Sequence, residues 1–266
     1  MNNKGKNTEN LFKRFLNEGY IKIQLLDKSD IYSLRKEVKT KMGRILKKYN
    51  FKIKVKNLQN YHKFVKKNDK VHKILMNPDS RFINLKSSIE KKLKIRLSNL
   101  FFKFWGHKQF QFSWIGDLKK KKQLKYHATG FRIARPDVER NSDVTPMHID
   151  KNAGGIINKT NDFLITIWIP LIGFSNKYTL KLSPKSHKVS HQIKFSQGKK
   201  ITYGVPKEYS KKFKFFRPNM KLGECLVFSS NLLHGSSNNL GKLSRLSLDC
   251  RAINIKKLNI KKLNNK

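Results

Sequence analysis

Two histidines and a carboxylate are the residues of this chain best suited to do chemistry. His148 and Asp150 flank a single isoleucine, and His234 answers them far downstream, followed by Arg245. In a β-strand alternate side chains project to one face, so His148 and Asp150 point the same way and a third ligand closes a triangle around one metal ion. Two imidazoles and one carboxylate on one side of an ion, with the other side open, is the arrangement of non-heme Fe(II) sites. Structural zinc uses the same ligand types, and an isolated His-x-Asp is in most proteins an ordinary strand pair. Context has to decide.

Arg245 has a context of its own. Residues 226–228 with Leu232 and Leu233 form an apolar run that reads as a buried strand ending at His234, and 236–241, rich in Ser, Asn and Gly, carries turn chemistry. The stretch 245–251 predicts a returning strand, so a hairpin lays Arg245 beside His234. A guanidinium is permanently charged and presents a planar fork that matches a carboxylate with two parallel hydrogen bonds.

The elements that must position these residues divide the chain in two. Residues 10–105 read mainly as helices, at 9–16, 30–48 and 79–100, with Ile31, Leu34, Val38, Met42 and Leu46 at helical spacing. Residues 20–25 alternate as one early strand. From Phe110 onward short strands, at 131–134, 164–169, 180–182, 226–228 and 246–250, are separated by Gly, Asn, Pro and Ser turns. The expectation is one α+β domain over 1–266. It has a mainly helical part at 10–105, a double-stranded β-helix core of the jelly-roll, cupin-like type at 110–254 with the helices packed on one face, and a basic tail at 255–266.

The wording around the ligands adds more. Val144-Thr-Pro-Met-His148-Ile-Asp150 is followed by Leu164-Ile-Thr-Ile-Trp168-Ile-Pro-Leu171, by Pro184-Lys-Ser-His187, and by Lys221-Leu-Gly-Glu-Cys-Leu-Val-Phe228 leading through His234-Gly-Ser236 to Ser244-Arg245. In this order the blocks, over 128–254 and more faintly at 15–23, resemble the phytanoyl-CoA dioxygenase-like family of Fe(II)/2-oxoglutarate oxygenases. The resemblance implies metal ligation by His148, Asp150 and His234, and Arg245 holding the far carboxylate of 2-oxoglutarate, with Trp168 and Ser236 lining the same pocket. A residue meeting the other end of 2-oxoglutarate is expected on the strand at 131–135, where the sequence singles none out. Lys185 stands where the family's turn has glycine, which bears on that turn's backbone and not on the metal. The implied reaction consumes O₂ and 2-oxoglutarate, yields succinate and CO₂, and oxidises an unactivated C–H bond of a small molecule. Halogenating relatives lose the carboxylate ligand; Asp150 is kept here, which points to hydroxylation or desaturation. The strand at 168–174 and the segment at 179–184 look closer to bacterial relatives associated with carbohydrate or cell-surface polymer biosynthesis than to the acyl-CoA branch. Selectivity belongs to the loops at 151–162 and 191–218.

Composition bounds the setting. The 266 residues, 38% hydrophobic, suit a sizeable core. An N-terminus without an apolar stretch, two cysteines, and apolar runs too short to span a bilayer point to a reducing, cytoplasmic protein. The formal charge of +43 would ordinarily suggest nucleic acid. Yet 49 of the 60 basic residues are lysine, with 25 Asn and 23 Ile against 4 Ala, the mark of an AT-rich coding sequence, and the charge is spread over the whole chain. The expected partner is therefore a small molecule, anionic if the positive field is used, with no specific nucleic acid. The competing reading is a non-catalytic basic module on the same scaffold that contacts RNA or an anionic membrane surface.

Overall fold

Helix α2 (Lys28–Lys48) shows how the sequence builds the helical layer. Ile31, Leu34, Val38, Met42 and Ile45 recur every three or four residues and are all buried. Asp27 opens the helix by accepting from the Asp30 backbone N–H, while the Asp30 side chain accepts from Asp27 N–H, a reciprocal cap. The computed structural model describes residues 3–65, 69–77, 80–113, 128–136, 143–150, 164–189, 191 and 204–254. Around α2 lie α1 (Asn3–Glu18), β1 (Tyr20–Gln24), α3 (Tyr61–Val65), α4 (Asp69–Leu75), β2 (Phe82–Asn84) and α5 (Ser87–Trp105). The helix expected at 79–100 is thus displaced. Residues 82–84 within it form β2, drawn into antiparallel pairing with β4, and tertiary pairing overrides local periodicity there.

The strands that follow are β3 (Phe110–Ser113), β4 (Ala128–Ala134), β5 (Leu164–Ile172), β6 (Lys181–Leu182), β7 (Glu224–Ser229), β8 (His234–Gly235) and β9 (Arg245–Asn254). The large sheet runs β1-β7-β5-β9-β4-β2, with β3 also paired to β9. β5 continues past Pro170, at the cost of a register shift before Ile172, because proline has no N–H for the ladder. One face of this sheet presents Ile165, Ile167 and Ile169 of β5 and Leu246, Leu248 and Cys250 of β9 to a core shared with α2 and α5. The opposite parity, Thr166 and Trp168 with Arg245, Ser247, Asp249 and Arg251, faces away from the helices.

That second face is covered by the small sheet. β6 pairs with β8, and single bridges add His148 beside His234 and Phe216 beside Leu182. Two facing antiparallel sheets with helices on one outer face make a double-stranded β-helix. The hairpin expected between His234 and Arg245 does not form. β8 belongs to the small sheet, whereas β9 lies inside the large one between β5 and β4. Asn239 turns the connection from one sheet to the other, its side chain donating to Ala134 O at 2.9 Å and Leu243 O at 2.7 Å and accepting from Gly241 N–H at 3.0 Å.

Among the described residues no helix is long and apolar enough to cross a membrane. Cys225 and Cys250 are buried free thiols. The lysine run at 119–122, the loop at 151–162, part of the loop at 191–218 and the tail at 255–266 lie outside the described residues.

Lys185 resolves the question raised by the missing glycine. It adopts φ 66° and ψ −9°, the left-handed conformation, with its N–H donating to Glu18 O at 3.0 Å. The turn keeps a glycine geometry with a lysine in it. A non-glycine residue there costs about 1–2 kcal/mol, partly offset by the extra chain entropy glycine loses on folding. Lys185→Gly is therefore expected to raise the unfolding free energy by about 0.5–1 kcal/mol in urea denaturation; a less stable variant would contradict the strain.

Candidate metal centre

His148 and His234 sit directly opposite one another and exchange both backbone hydrogen bonds, His148 N–H to His234 O at 2.8 Å and His234 N–H to His148 O at 3.0 Å. Such a pair fixes the two imidazoles side by side, with ring centroids 4.3 Å apart. Each ring uses its Nδ1 on a carbonyl two residues back, His148 on Pro146 O at 2.7 Å and His234 on Leu232 O at 2.9 Å. With Nδ1–H donating, Nε2 carries the lone pair, so both rings are held in the tautomer a metal needs. Gly235 permits the close approach. A Cβ there would lie 2.6 Å from Met147 Cε and 3.0 Å from Pro146 O, on the segment that presents His148.

Ile149 packs outward against Val205 and Leu233, leaving Asp150 turned inward with His148. Asp150 Oδ1 lies 3.6 Å from His148 Nε2 and Oδ2 3.8 Å from His234 Nε2. One ligand atom from each of the three falls within 4.8 Å of the others, a spacing that one ion with bonds of about 2.1 Å can span. The carboxylate is buried, which by itself would raise its pKa. Arg251 and the two imidazoles more than reverse this and hold it well below the usual carboxylate range. Arg251 Nη2 donates to Oδ1 at 2.9 Å and Thr166 Oγ1 to Oδ2 at 2.5 Å, both from the large sheet. Burial, reinforced by His148, pushes His234 down to about 4, so it stands as a neutral ligand at physiological pH.

The cleft beside these ligands is lined by Thr145, Leu180, Phe228 and Ser236 and by Arg132, Asp249 and Arg251. Ser236 has its Oγ 3.5 Å from Thr145 Oγ1. Trp168 shares the Thr166 face of β5 and is packed with Tyr20, Leu180, Leu226 and Phe228. Arg245 is buried at the start of β9, its Nη1 donating to Tyr178 O at 3.0 Å and Ser237 O at 3.2 Å. Trp168 Nε1 and Arg245 Nε are both buried without a hydrogen-bond partner. Each is a buried donor of the kind that a carboxylate oxygen, such as one of 2-oxoglutarate, would satisfy. His187 instead serves the fold, donating from Nε2 to Leu16 O at 3.1 Å.

Thr166, Arg251, Arg132 and Asp249 were not read from the sequence. Strand parity was the available signal. Arg245, Ser247, Asp249 and Arg251 alternate with Leu246, Leu248, Cys250 and Ala252, which marks a strand with a charged face buried inside a protein.

A double-stranded β-helix with a two-histidine, one-carboxylate centre between its sheets defines a non-heme iron enzyme scaffold. The chain belongs to the phytanoyl-CoA dioxygenase family, since a family model described as phytanoyl-CoA dioxygenase (PhyH) matches residues 18–247. Family and site together give iron and 2-oxoglutarate as its cofactors. Among solved structures the chain is similar to the non-heme α-ketoglutarate-dependent carbocyclase SnoK from nogalamycin biosynthesis, with TM-score 0.56 and 11% identity over 92% of this chain and 83% of that one. AviO1 from Streptomyces viridochromogenes Tue57 gives TM-score 0.56 and 12% identity over 93% and 95%. The epimerase SnoN, solved with Fe³⁺, α-ketoglutarate and nogalamycin RO, gives 0.55 and 13% over 94% and 84%. No curated protein sequence matches the chain significantly.

Two measurements check the centre. His148→Ala should lower the affinity for Mn(II) or Fe(II), read by calorimetry under nitrogen, by more than the roughly 10–100-fold typical of a residue that only supports a ligand. Unchanged affinity would remove His148 from the ligand set. In the metal-free protein, His234 takes up its proton only near pH 4 when folded but near the usual histidine value of about 6.5 when unfolded. The unfolded state thus binds more protons in that window, and stability should fall as pH drops from about 6.5 to 4, by up to about 3 kcal/mol from this group. His234→Gln should flatten that part of the profile, and a variant with the parent's slope would contradict the buried neutral imidazole.

Proposed function

We propose that this chain is an Fe(II)/2-oxoglutarate-dependent oxygenase that hydroxylates, or otherwise oxidises, an unactivated C–H bond of a small, carbohydrate-related biosynthetic metabolite, with O₂ as co-substrate. The observation that carries this reading is the convergence of His148 Nε2, His234 Nε2 and the Asp150 carboxylate, each oriented by its own hydrogen bonds. When bound, iron would activate O₂, the oxidant, with 2-oxoglutarate giving up two electrons as it is decarboxylated to succinate and CO₂. The protein's part is to bind, orient and exclude water. His148 and His234 offer neutral nitrogens, and Asp150 offers an anionic oxygen held from behind by Arg251 and Thr166. Arg245 is assigned the far carboxylate of 2-oxoglutarate, Trp168 Nε1 and Ser236 Oγ its flank, while Leu180 and Phe228 keep the wall apolar.

Retention of Asp150 supports hydroxylation or desaturation over halogenation. The solved relatives, which include a carbocyclase and an epimerase of nogalamycin biosynthesis, support a biosynthetic metabolite as the substrate. Two buried free thiols suit a reducing, cytoplasmic setting.

Arg245→Lys separates cofactor recognition from metal binding. The charge stays and the planar fork goes, so 2-oxoglutarate should bind roughly 10–100-fold more weakly while the metal binds as before. The readout is the weak visible band of the anaerobic Fe(II) protein titrated with 2-oxoglutarate. A parent-like titration would take Arg245 out of the role. Succinate formation that depends on Fe(II) and on His234 tests the reaction itself. Its absence, alongside sequence-selective nucleic-acid binding that survives raised salt, would favour the binding module.

A further inference from the structure

Resting on the oxygenase reading, the cleft contains a charged group, on the strand where a contact to the keto-acid end of 2-oxoglutarate is expected, to which the assignments above give no role. Arg132 stands on the cleft side of β4, opposite Ser247 of β9, and lines the same cleft as His148 and His234. Its Nε donates to Asp249 Oδ2 at 2.7 Å, which fixes the plane of the guanidinium. Among the described residues its two terminal nitrogens make no hydrogen bond, and the side chain is 31% exposed where that of Asp249 is 11% exposed. The fork is therefore oriented from behind and open in front.

Charge balance points the same way. Three guanidiniums, Arg81, Arg132 and Arg251, act on Asp249, and Arg251 is also committed to Asp150 at 2.9 Å. Asp249 is thus shared and leaves the Arg132 charge partly uncompensated at the cleft surface. An iron ion at the triad and its dianionic cosubstrate cancel one another and do not change this surplus. A partly desolvated, oriented guanidinium whose terminal nitrogens make no hydrogen bond among the described residues suits a carboxylate or phosphate.

We propose that Arg132, oriented by Asp249, binds a carboxylate or phosphate group of the prime substrate and so places the C–H bond to be oxidised beside the metal. Arg132 is then a substrate-specificity residue, and the substrate class narrows to metabolites that carry an anionic group.

The test uses the full chain loaded with Mn(II) and saturating 2-oxoglutarate, with inorganic phosphate and acetate as probes. The chain's net charge of +43 will attract anions everywhere. A local readout is therefore needed, namely the enhancement of ³¹P relaxation of phosphate, or of methyl-proton relaxation of acetate, by bound Mn(II). The parent should show saturable enhancement with at least one probe. R132Q should weaken that probe's binding roughly tenfold or more, with Mn(II) and 2-oxoglutarate affinities within about twofold of the parent. If R132Q does not fold, R132K is read instead; it keeps a charge for Asp249 and gives up the fork, and it should also weaken the probe.

No saturable enhancement in the parent, or equal probe affinity in the folded variant, overturns the proposal. A tenfold loss of 2-oxoglutarate affinity in R132Q also overturns it, by assigning the fork to the cosubstrate. Failure of the parent to bind Mn(II) or 2-oxoglutarate at all would instead sink the oxygenase reading.

Discussion

The site depends on one buried carboxylate. Asp150 is carried by a segment that belongs to the small sheet but takes its hydrogen bonds from Thr166 and Arg251 of the large one. A carboxylate removed from water is tolerated only with partners in good geometry. Here the partners lie on the facing sheet, so satisfying Asp150 also sets how the two sheets close on one another at the metal. The histidines follow from this. They are fixed by backbone exchange within the small sheet, and Asp150 sets where that pair stands relative to β5 and β9.

The segment that delivers the ligands is anchored at its other end by a second buried network. Asp143 accepts from Arg135 N–H, Nε and Nη2, and faces His72, which in turn meets the Tyr61 hydroxyl. Arg135 also reaches Asp69 in α4. The helical layer therefore does more than cover the sheet. Through α3 and α4 it holds the start of the segment that ends in the metal pair, which links the sequence's two halves physically.

What could be read from the sequence follows from the range of each interaction. The triad was legible because residue type, i, i+2 spacing and the ordered blocks around His148, Asp150 and His234 together name it, and helix α2 because its apolar period is local. The displaced helix at 79–100 and the missing hairpin failed for the opposite reason. The stretch 82–84 becomes a strand only because β4 lies beside it, and Asn239 sends the chain to the other sheet only because the end of β4 is there to accept its hydrogen bond. The support for Asp150 was half legible. Parity marks Arg251 as inward, but which carboxylate it meets is set by the distance between two sheets.

Arginine is scarce in this chain, 11 residues against 49 lysines, and its placement is not random. Arg35 caps Leu171 O, Arg96 reaches Leu25 O, Arg135 grips Asp143, Arg245 spans Tyr178 O and Ser237 O, and Arg251 holds Asp150. These are positions where a rigid, branched donor closes a gap between chain segments, work that a flexible ammonium does poorly. Lysine coats the outside, where its charge is screened within about 8 Å at physiological ionic strength, while the interior pairs are hardly touched by added salt. The molecule thus carries two electrostatic populations with different grammars. In a protein written so heavily in lysine, these five arginines are the letters that convey information.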